Sequence, residues 1–575
     1  MYKMRIIYTL LFLLCSLGLT AQEGLTVRGL VKDARTKAFL PNVTVSSPGL
    51  SASVMSNEKG EFTIEVNHRN TTLRFYLNGY FSEEVQLNGR KELEVRMMPQ
   101  SAYRYMQDAA GSVLNSSVIL NRKDLNQSYS SPGEGVAGRI AGLQSLRSSG
   151  MPGEGIFLQY RALRSFSANN APLIVVDGMP YLPDMNDSPV ISGYASDAFM
   201  ALNLKEIENI SFVTGKEAAR FGSLASNGVI VIETEKATDM ETKVEIQTVN
   251  GISWMNKRLP LMNDREFKSY IGDIGATAIS DANELIETFP FLKDDPSYHY
   301  NYLYDNDIDW QDKVFTPAFS TENILKVKGG DAVANYAISV GYLKNDGVVD
   351  HTSMSKYYTR LNANMAVTPR LKMFASAGFT YNDNLLMEQG MIRQSNPLLA
   401  SLERSPLLSV YEKNSKGDYL PRYEGTRQFG ISNPSAILAD VDAKSKAYNV
   451  LVNAGLQYDV NSALSFSALV GIYYNYNSEN LFIPGKDYTA IAPQNGAENL
   501  VRAGIGESFN TYFNVAGNYH KTFGQVHALT VQLGMQLMIT QQEFDKGQGL
   551  NTKSDFFRTL GDVDNSYGRT ISGWQ

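Results

Sequence analysis

The chain has 575 residues, 43% of them hydrophobic and 19% charged, too long for one ordinary domain. A net charge of −7 gives no support for nucleic-acid binding. The 32 Tyr, 26 Phe and 46 Gly, set among Asn, Ser and Thr, favour strands and turns over helices.

Residues 1–21 read as a secretory signal peptide. Lys3 and Arg5 make the positive start, Ile6 to Leu14 the apolar run, and Ala21 the small residue before cleavage. That run is too short to cross ~30 Å of hydrocarbon. Cys15 is the only cysteine, and Leu14 stands where a lipoprotein signal needs a small residue. The mature chain is therefore expected to carry no cysteine and no disulfide. No later stretch has the roughly 18 unbroken apolar residues of a spanning helix. An exported chain of this kind is periplasmic, secreted or a membrane β-barrel.

Residues 22–98 are expected to form a small β-sandwich, with short alternating strands between Gly and Asn turns. The motifs G-x-V-x-D at Gly29 to Asp33, L-P-x-V-x-V at Leu40 to Val45 and N-x-x-G-x-F at Asn57 to Phe62 resemble the carboxypeptidase-regulatory-like domain. That domain carries no peptidase chemistry. His68 has no second ligand near it in sequence and reads as a surface residue.

Residues 113–238 read as mixed α/β. A short helix is expected over Gly135 to Leu143, and a strand with an Asp177-Gly178 turn over Pro172 to Tyr181. Further helical stretches are expected at Leu204 to Ile210 and Glu217 to Phe221, and a buried strand at Gly228 to Thr234. Four motifs occur here in order. They are Val136 to Gly142 (L-Q-G-R-x-x-G type), Pro172 to Pro180 (P-L-x-V-x-D-G-x-P), Leu202 to Val213 (L-x-x-x-D-I-E-x-I-x-V) and Ala218 to Thr234 (A-x-x-Y-G-x-x-A-x-N-G-V-I-x-I-x-T). Together they resemble the plug domain of the SusC/RagA family of TonB-linked outer-membrane transporters. Lys205-Glu206 stands where the family favours an acidic residue, and Phe221 replaces a tyrosine. Pro172, Asp177, Gly178, Pro180, Gly222, Asn227 and Gly228 are read as structural plug positions with no catalytic role.

From 239 to 575 the period is two, as in a transmembrane barrel with one lipid-facing and one lumen-facing side. Tyr336, Ile338, Val340 and Tyr342 oppose Asn335, Ala337, Ser339 and Gly341. Leu361, Ala363 and Met365 oppose Arg360, Asn362 and Asn364. The same contrast recurs at 371–382, 448–459 and 529–539. Tyr336, Tyr342, Tyr448 and Tyr458 suit aromatic girdles. Short turns at 368–370, 461–462 and 523–524 alternate with long connections at 254–320 and 383–444. The stretch Asp307 to Asp312 and the hairpin Gly341 to Gly347 also resemble the SusC/RagA family. About nine strands are expected, against about 22 in the largest plugged barrels. Nine cannot wrap a plug, so the chain is expected to be the N-terminal portion of a longer barrel, its C-terminal strands missing.

The fold class is thus mainly β: a small sandwich, a mixed α/β plug, then antiparallel strands of an incomplete barrel. The resemblance implies location in the outer membrane, with the sandwich and plug facing the periplasm. It implies import of an oligomeric nutrient, either oligosaccharide or peptide. The implied partners are the TonB-ExbB-ExbD complex, a SusD-like surface lipoprotein and outer-membrane lipid, with no cofactor. TonB would pair by strand addition within 99–112, at Tyr103, Arg104, Tyr105 and Met106. That slot lacks the V-V-V-x-G-Y-G pattern of the family. The alternative is a surface receptor or adhesin that binds without energised transport. An enzyme is not expected, because His68, His299, His351, His520 and His527 are scattered and form no catalytic or metal-binding pattern.

Overall fold

The computed structural model describes residues 25–97 and 118–574. Short internal stretches (48–52, 126–127, 167–168, 183–188, 238–241, 487–489, 494–496, 524–526) and a few single positions are excepted. The expected signal peptide and the slot holding Tyr103, Arg104, Tyr105 and Met106 lie outside the described residues.

The first unit is the expected sandwich. Its strands are β1 (Leu25–Asp33), β2 (Thr44–Ser46), β3 (Val54–Met55), β4 (Glu61–Val66), β5 (Thr72–Tyr76), β6 (Glu83–Gln86) and β7 (Glu92–Met97). They form two sheets, ordered β4-β1-β7 and β3-β2-β5-β6. Strand β4 shows why: Phe62, Ile64 and Val66 point inward while Glu61, Thr63 and Glu65 face out. Phe62 meets Phe75 of the other sheet edge-on, with centroids 5.2 Å apart.

The second unit contains β8 (Val118–Asn121), β9 (Leu143–Leu146), β10 (Phe157–Tyr160), β11 (Leu173–Val176), β12 (Met179–Tyr181), β13 (Ile207–Val213) and β14 (Val229–Thr234). Five of these form a sheet ordered β12-β11-β14-β13-β8, with β11 and β14 parallel at its centre. Every residue of β11 is buried, as expected for a central strand covered on both faces.

Three local expectations here are corrected. The helix begins earlier, at Pro132–Val136, because Ser131 caps it and Glu134 closes the capping box. It stops before Gly138, where Ala137 turns to ψ 126°. Leu204–Glu206 is a single 3₁₀ turn, and Ile207 already begins β13, since its apolar run pairs with both β14 and β8. Gly215–Phe221 is likewise a 3₁₀ segment, closed by Gly222.

The third unit is one antiparallel sheet of ten strands, one more than the sequence suggests. They are β15 (Lys243–Ser253), β16 (Ala318–Gly330), β17 (Ala334–Asp346), β18 (Ser353–Ala366), β19 (Leu371–Leu386), β22 (Asp442–Asp459), β23 (Leu464–Ile483), β24 (Leu500–Phe523), β25 (His527–Thr552) and β26 (Val563–Trp574). A small separate hairpin, β20 (Tyr411–Lys413) with β21 (Tyr419–Tyr423), sits in the connection between β19 and β22. The tenth strand, β26, falls in a tail containing Gly, Asn and Ser. There it pairs with β25 from Val563 to Trp574.

The two faces of this sheet are as the alternation implies. Val340, Leu361, Met373, Phe379, Leu456, Val470, Phe513 and Val515 are exposed on one side. On the other, Asn362, Asn382, Asn449, Asn453, Asn475 and Asn510 are buried against the plug. Tyr342, Tyr357, Tyr381, Tyr448 and Tyr476 are directly paired from strand to strand across β17, β18, β19, β22 and β23. Neighbouring rings lie 4.6–6.1 Å apart and make a continuous tyrosine belt at one level. An amphipathic ring at that level suits a boundary between hydrocarbon and water.

The connections at one end of the sheet are short, at 331–333, 367–370 and 460–463. At the other end the connections are longer, and two of them carry helices and strands of their own. Residues 254–317 hold helices Asp264–Ala278 and Ala282–Thr288. Residues 387–441 hold helices Pro397–Glu403 and Pro434–Asp440 together with the β20–β21 hairpin. No helix among the described residues is long and apolar enough to cross a membrane, which says nothing of strands.

Candidate functional site

The site is the surface along which the plug meets the amide-lined face of the sheet. Its centre is the Asp177-Gly178 turn between β11 and β12. Both residues have positive φ, 47° and 88°, as a two-residue type I′ hairpin requires. The Asp177 carboxylate accepts from the Thr234 backbone N–H (3.0 Å), the Thr234 hydroxyl (2.6 Å) and the Ser376 hydroxyl of β19 (3.3 Å). Asn453 of β22 donates to the Val176 carbonyl at 3.1 Å. A side chain at 471 would drive Cβ to 2.4 Å from the Met179 sulfur, so a glycine there lets β23 pass close to the turn.

A buried charge network lies beside this turn. On the plug, the 3₁₀ turn supplies Lys205 and Glu206, and the chain leaving β14 supplies Glu235. On the sheet stand Glu322, Lys326 and Lys328 of β16 and Arg360 of β18. Lys205 pairs with Glu322, which also accepts from Asn203 (3.0 Å) and Tyr358 (2.8 Å). Glu206 accepts from the Ser339 hydroxyl (2.6 Å) and from Arg360 (3.3 Å). Glu235 is held by Lys326 at 2.6 Å, Arg122 at 2.7 Å, and Lys328. Burial opposes ionisation of Glu235, but Lys326, Arg122 and Lys328 outweigh it and hold its carboxyl below the usual range. Each of the three carboxylates, Glu206, Glu235 and Glu322, thus has at least one cation beside it, and all but the Arg122–Glu235 pair cross between plug and sheet.

At the long-loop end the plug is clasped by backbone. The Ser192 carbonyl accepts from the Gln389 and Gly390 N–H groups at 2.8 and 3.0 Å. Gly193 has φ +81°, and a Cβ there would sit 2.5 Å from the Gln389 carbonyl carbon. Arg502 of β24 reaches both Ser192 (3.5 Å) and the fully buried Glu388 (3.3 Å). The Val190 N–H donates to Glu479 of β23 at 2.7 Å.

Known proteins share these parts. Residues 27–108 match the CarboxypepD_reg-like domain, and residues 107–229 match the TonB-dependent Receptor Plug Domain. TonB-dependent receptor P3 of Formosa agariphila is 24% identical over an alignment covering 94% of this chain and 50% of that protein. TonB-dependent receptor SusC of Bacteroides thetaiotaomicron is 23% identical, covering 92% of this chain and 51% of that protein. The fold is similar to that of the RagAB peptide transporter, with a TM-score of 0.64 and 17% identity, covering 80% of this chain and 53% of that one.

The chain is a homologue of TonB-dependent receptors, SusC among them. It spans about half the length of the curated relatives it matches.

Within this TonB-dependent receptor plug, the motif residues hold the positions that shape the turn and the sheet. Pro172 leads into β11, and Pro180 lies in β12, the edge of the plug sheet. At an edge its missing N–H leaves no ladder bond unmade. Asn227 donates to the Asn169 carbonyl at 2.8 Å, and Gly228 precedes β14, where a Cβ would meet the Phe212 ring at 2.8 Å. Gly222 closes the 3₁₀ segment. Sequence reasoning singled out none of Glu206, Glu235, Lys326 or Arg360 as site residues. The available signal was a set of charged residues at inward positions of β16 and β18, where amides and small residues otherwise prevail.

Proposed function

We propose that this chain forms the plug and part of the wall of an outer-membrane importer for an oligomeric nutrient, either oligosaccharide or peptide. The observation that carries the reading is the seated plug: it meets the sheet through amides and paired charges, while the far face of the same sheet is apolar. Lipid needs the apolar face, and a removable stopper needs the polar one. Several buried amide oxygens, among them those of Asn362, Asn453 and Asn510, accept no hydrogen bond from protein. An interface with spare polar capacity admits water as the plug shifts, which a dry core does not.

The sandwich and plug then face the periplasm, and the long connections face the outside. Energy would come from the TonB-ExbB-ExbD complex through strand pairing near Tyr103, Arg104, Tyr105 and Met106. A SusD-like lipoprotein would cap the outer end. SusC supports this reading by relationship, and the RagAB peptide transporter by likeness of fold.

The test is uptake of labelled oligosaccharides and peptides by cells carrying the intact gene. Import that stops on deleting 99–112, while surface binding persists, supports energised transport. Binding with no uptake in any background would instead establish the second reading, a receptor without transport. The departure of 99–112 from the V-V-V-x-G-Y-G pattern favours that alternative.

A further inference from the structure

The hairpin of β20 and β21 carries a group of aromatic rings that the plug interface does not use. Tyr411 pairs across the hairpin with Tyr423, and Lys413 pairs with Tyr419. The register shifts between these two pairs, and Tyr411, Tyr419 and Tyr423 nonetheless line the same cleft. The Tyr411 and Tyr423 rings stack with centroids 5.3 Å apart and planes 18° apart. The Lys413 ammonium lies 5.3 Å over the Tyr419 ring and is anchored on Asn306 at 2.6 Å. Tyr411 and Tyr419 remain 43% and 62% exposed, so each keeps ring surface open to solvent.

All three rings line one cleft of about 530 Å³. Its other walls bring Lys313, Asp350 and His351 together with the helix Pro434–Asp440. The volume lies within the usual range for a small-ligand site. The cleft combines flat aromatic faces with one clear cation, one clear anion and an imidazole. Strong net charge is absent from that lining, so a polyanionic or polycationic ligand gains little there. The apolar wall is too small to select a lipid chain. A peptide adding as a third strand beside β21 would meet Pro421, which offers no N–H to such a ladder, and the edge of β20 is only three residues long. What remains is a neutral, hydroxyl-rich ring. Its C–H face lies against a tyrosine, while its hydroxyls find Asp350, His351 and Lys313 at the rim.

We propose that this cleft is a saccharide subsite, with Tyr411 and Tyr419 as its stacking platforms. The proposal deepens the importer reading, on which it rests for the outward placement of the loops, and selects oligosaccharide over peptide as the ligand class.

The experiment measures binding to outer-membrane vesicles containing the intact gene product. The probes are maltohexaose, cellohexaose, xylohexaose, mannohexaose and a tryptic peptide digest. At least one hexaose should bind and the peptides should not. Y411A/Y419A should weaken that binding by at least about tenfold. Y411F/Y419F, which keeps the ring faces, should retain most of it. The thermal midpoint of the double alanine variant should match the parent, since both rings are exposed. Hexaose binding that ignores the alanine variant, binding of peptides alone, or no binding of any probe would each overturn the subsite. Failure of the importer reading looks different: hexaoses bind in a tyrosine-dependent way, yet energised cells take none up.

Discussion

The Glu235 carboxylate lies 2.6 Å from the Lys326 ammonium and so ties the end of the last plug strand to the second strand of the large sheet. Both side chains are buried, Lys326 at 2% exposure. Lys326→Met leaves Glu235 short of its main counter-charge. Loss of one partner of a buried pair costs about 3–5 kcal/mol. Urea unfolding of the purified protein in detergent should show that loss, and E235Q/K326M should lose less than the sum of the two single variants. Strict additivity would mean the pair is not coupled.

The same carboxyl fixes a pH dependence. Its folded pKa is below the ordinary value, so the unfolded chain takes up the proton first as pH falls. The stabilisation is therefore fully present above the ordinary Glu value of about 4.3 and is lost as pH drops through the lowered folded value. Thermal midpoints of the parent protein and E235Q should run parallel from neutral pH to that region and converge below it. A gap that persists into strong acid would contradict the assignment.

Adjacent residues on β18 should respond to opposite changes. Leu361 is 45% exposed on the apolar face, whereas Asn362 is 3% exposed and donates to Thr234 (2.9 Å) and to the Glu235 carbonyl (2.6 Å). Leu361→Arg should cost about 2–4 kcal/mol in lipid if the residue sits near the bilayer midplane. Asn362→Leu should cost about 1–3 kcal/mol by stranding the Glu235 carbonyl, and it should do so in detergent as well. Unfolding measured in vesicles and in detergent separates the two, because only the arginine variant depends on the surrounding hydrocarbon.

The clasp at Ser192 depends on glycine. Gly193→Ala forces a β-carbon into left-handed backbone against the Gln389 carbonyl, a cost of roughly 1–3 kcal/mol. Hydrogen exchange at the Gln389 and Gly390 amides should accelerate in this variant, while exchange in β11 and β14 stays slow. Unchanged protection at 389 and 390 would show that the loop and plug do not depend on each other there.

Asp177→Asn tests the turn. The amide keeps one acceptor for the Thr234 N–H but gives up the charge-assisted bond to the Thr234 hydroxyl, worth about 1.5–3 kcal/mol. Limited proteolysis should cut the plug faster in this variant while sparing the sandwich of residues 25–97. Equal rates would remove the turn from the set of contacts that seat the plug.

Period-two alternation is local information, and it made the faces of β17, β18, β19 and β22 legible before any strand was paired. Two-residue turn chemistry is equally local, so Asp177-Gly178 declared its hairpin through the backbone freedom that only such residues offer. The helix expected over Leu204 to Ile210 had no such protection. A short apolar run suits helix or strand, and only the neighbours β14 and β8 decided in favour of strand. The partners of Glu235 and Glu206 lie 91 and 154 residues away, and the Ser192 clasp reaches across to Gln389. Nothing in the local pattern orders such pairs, because their meeting depends on the register of many strands and on the path of the long connections. The sequence by itself determined that one side of this wall is apolar and the other amide-lined. The tertiary structure alone decided which buried charges neutralise one another across the plug, since a charge finds its counter-charge in space rather than along the chain.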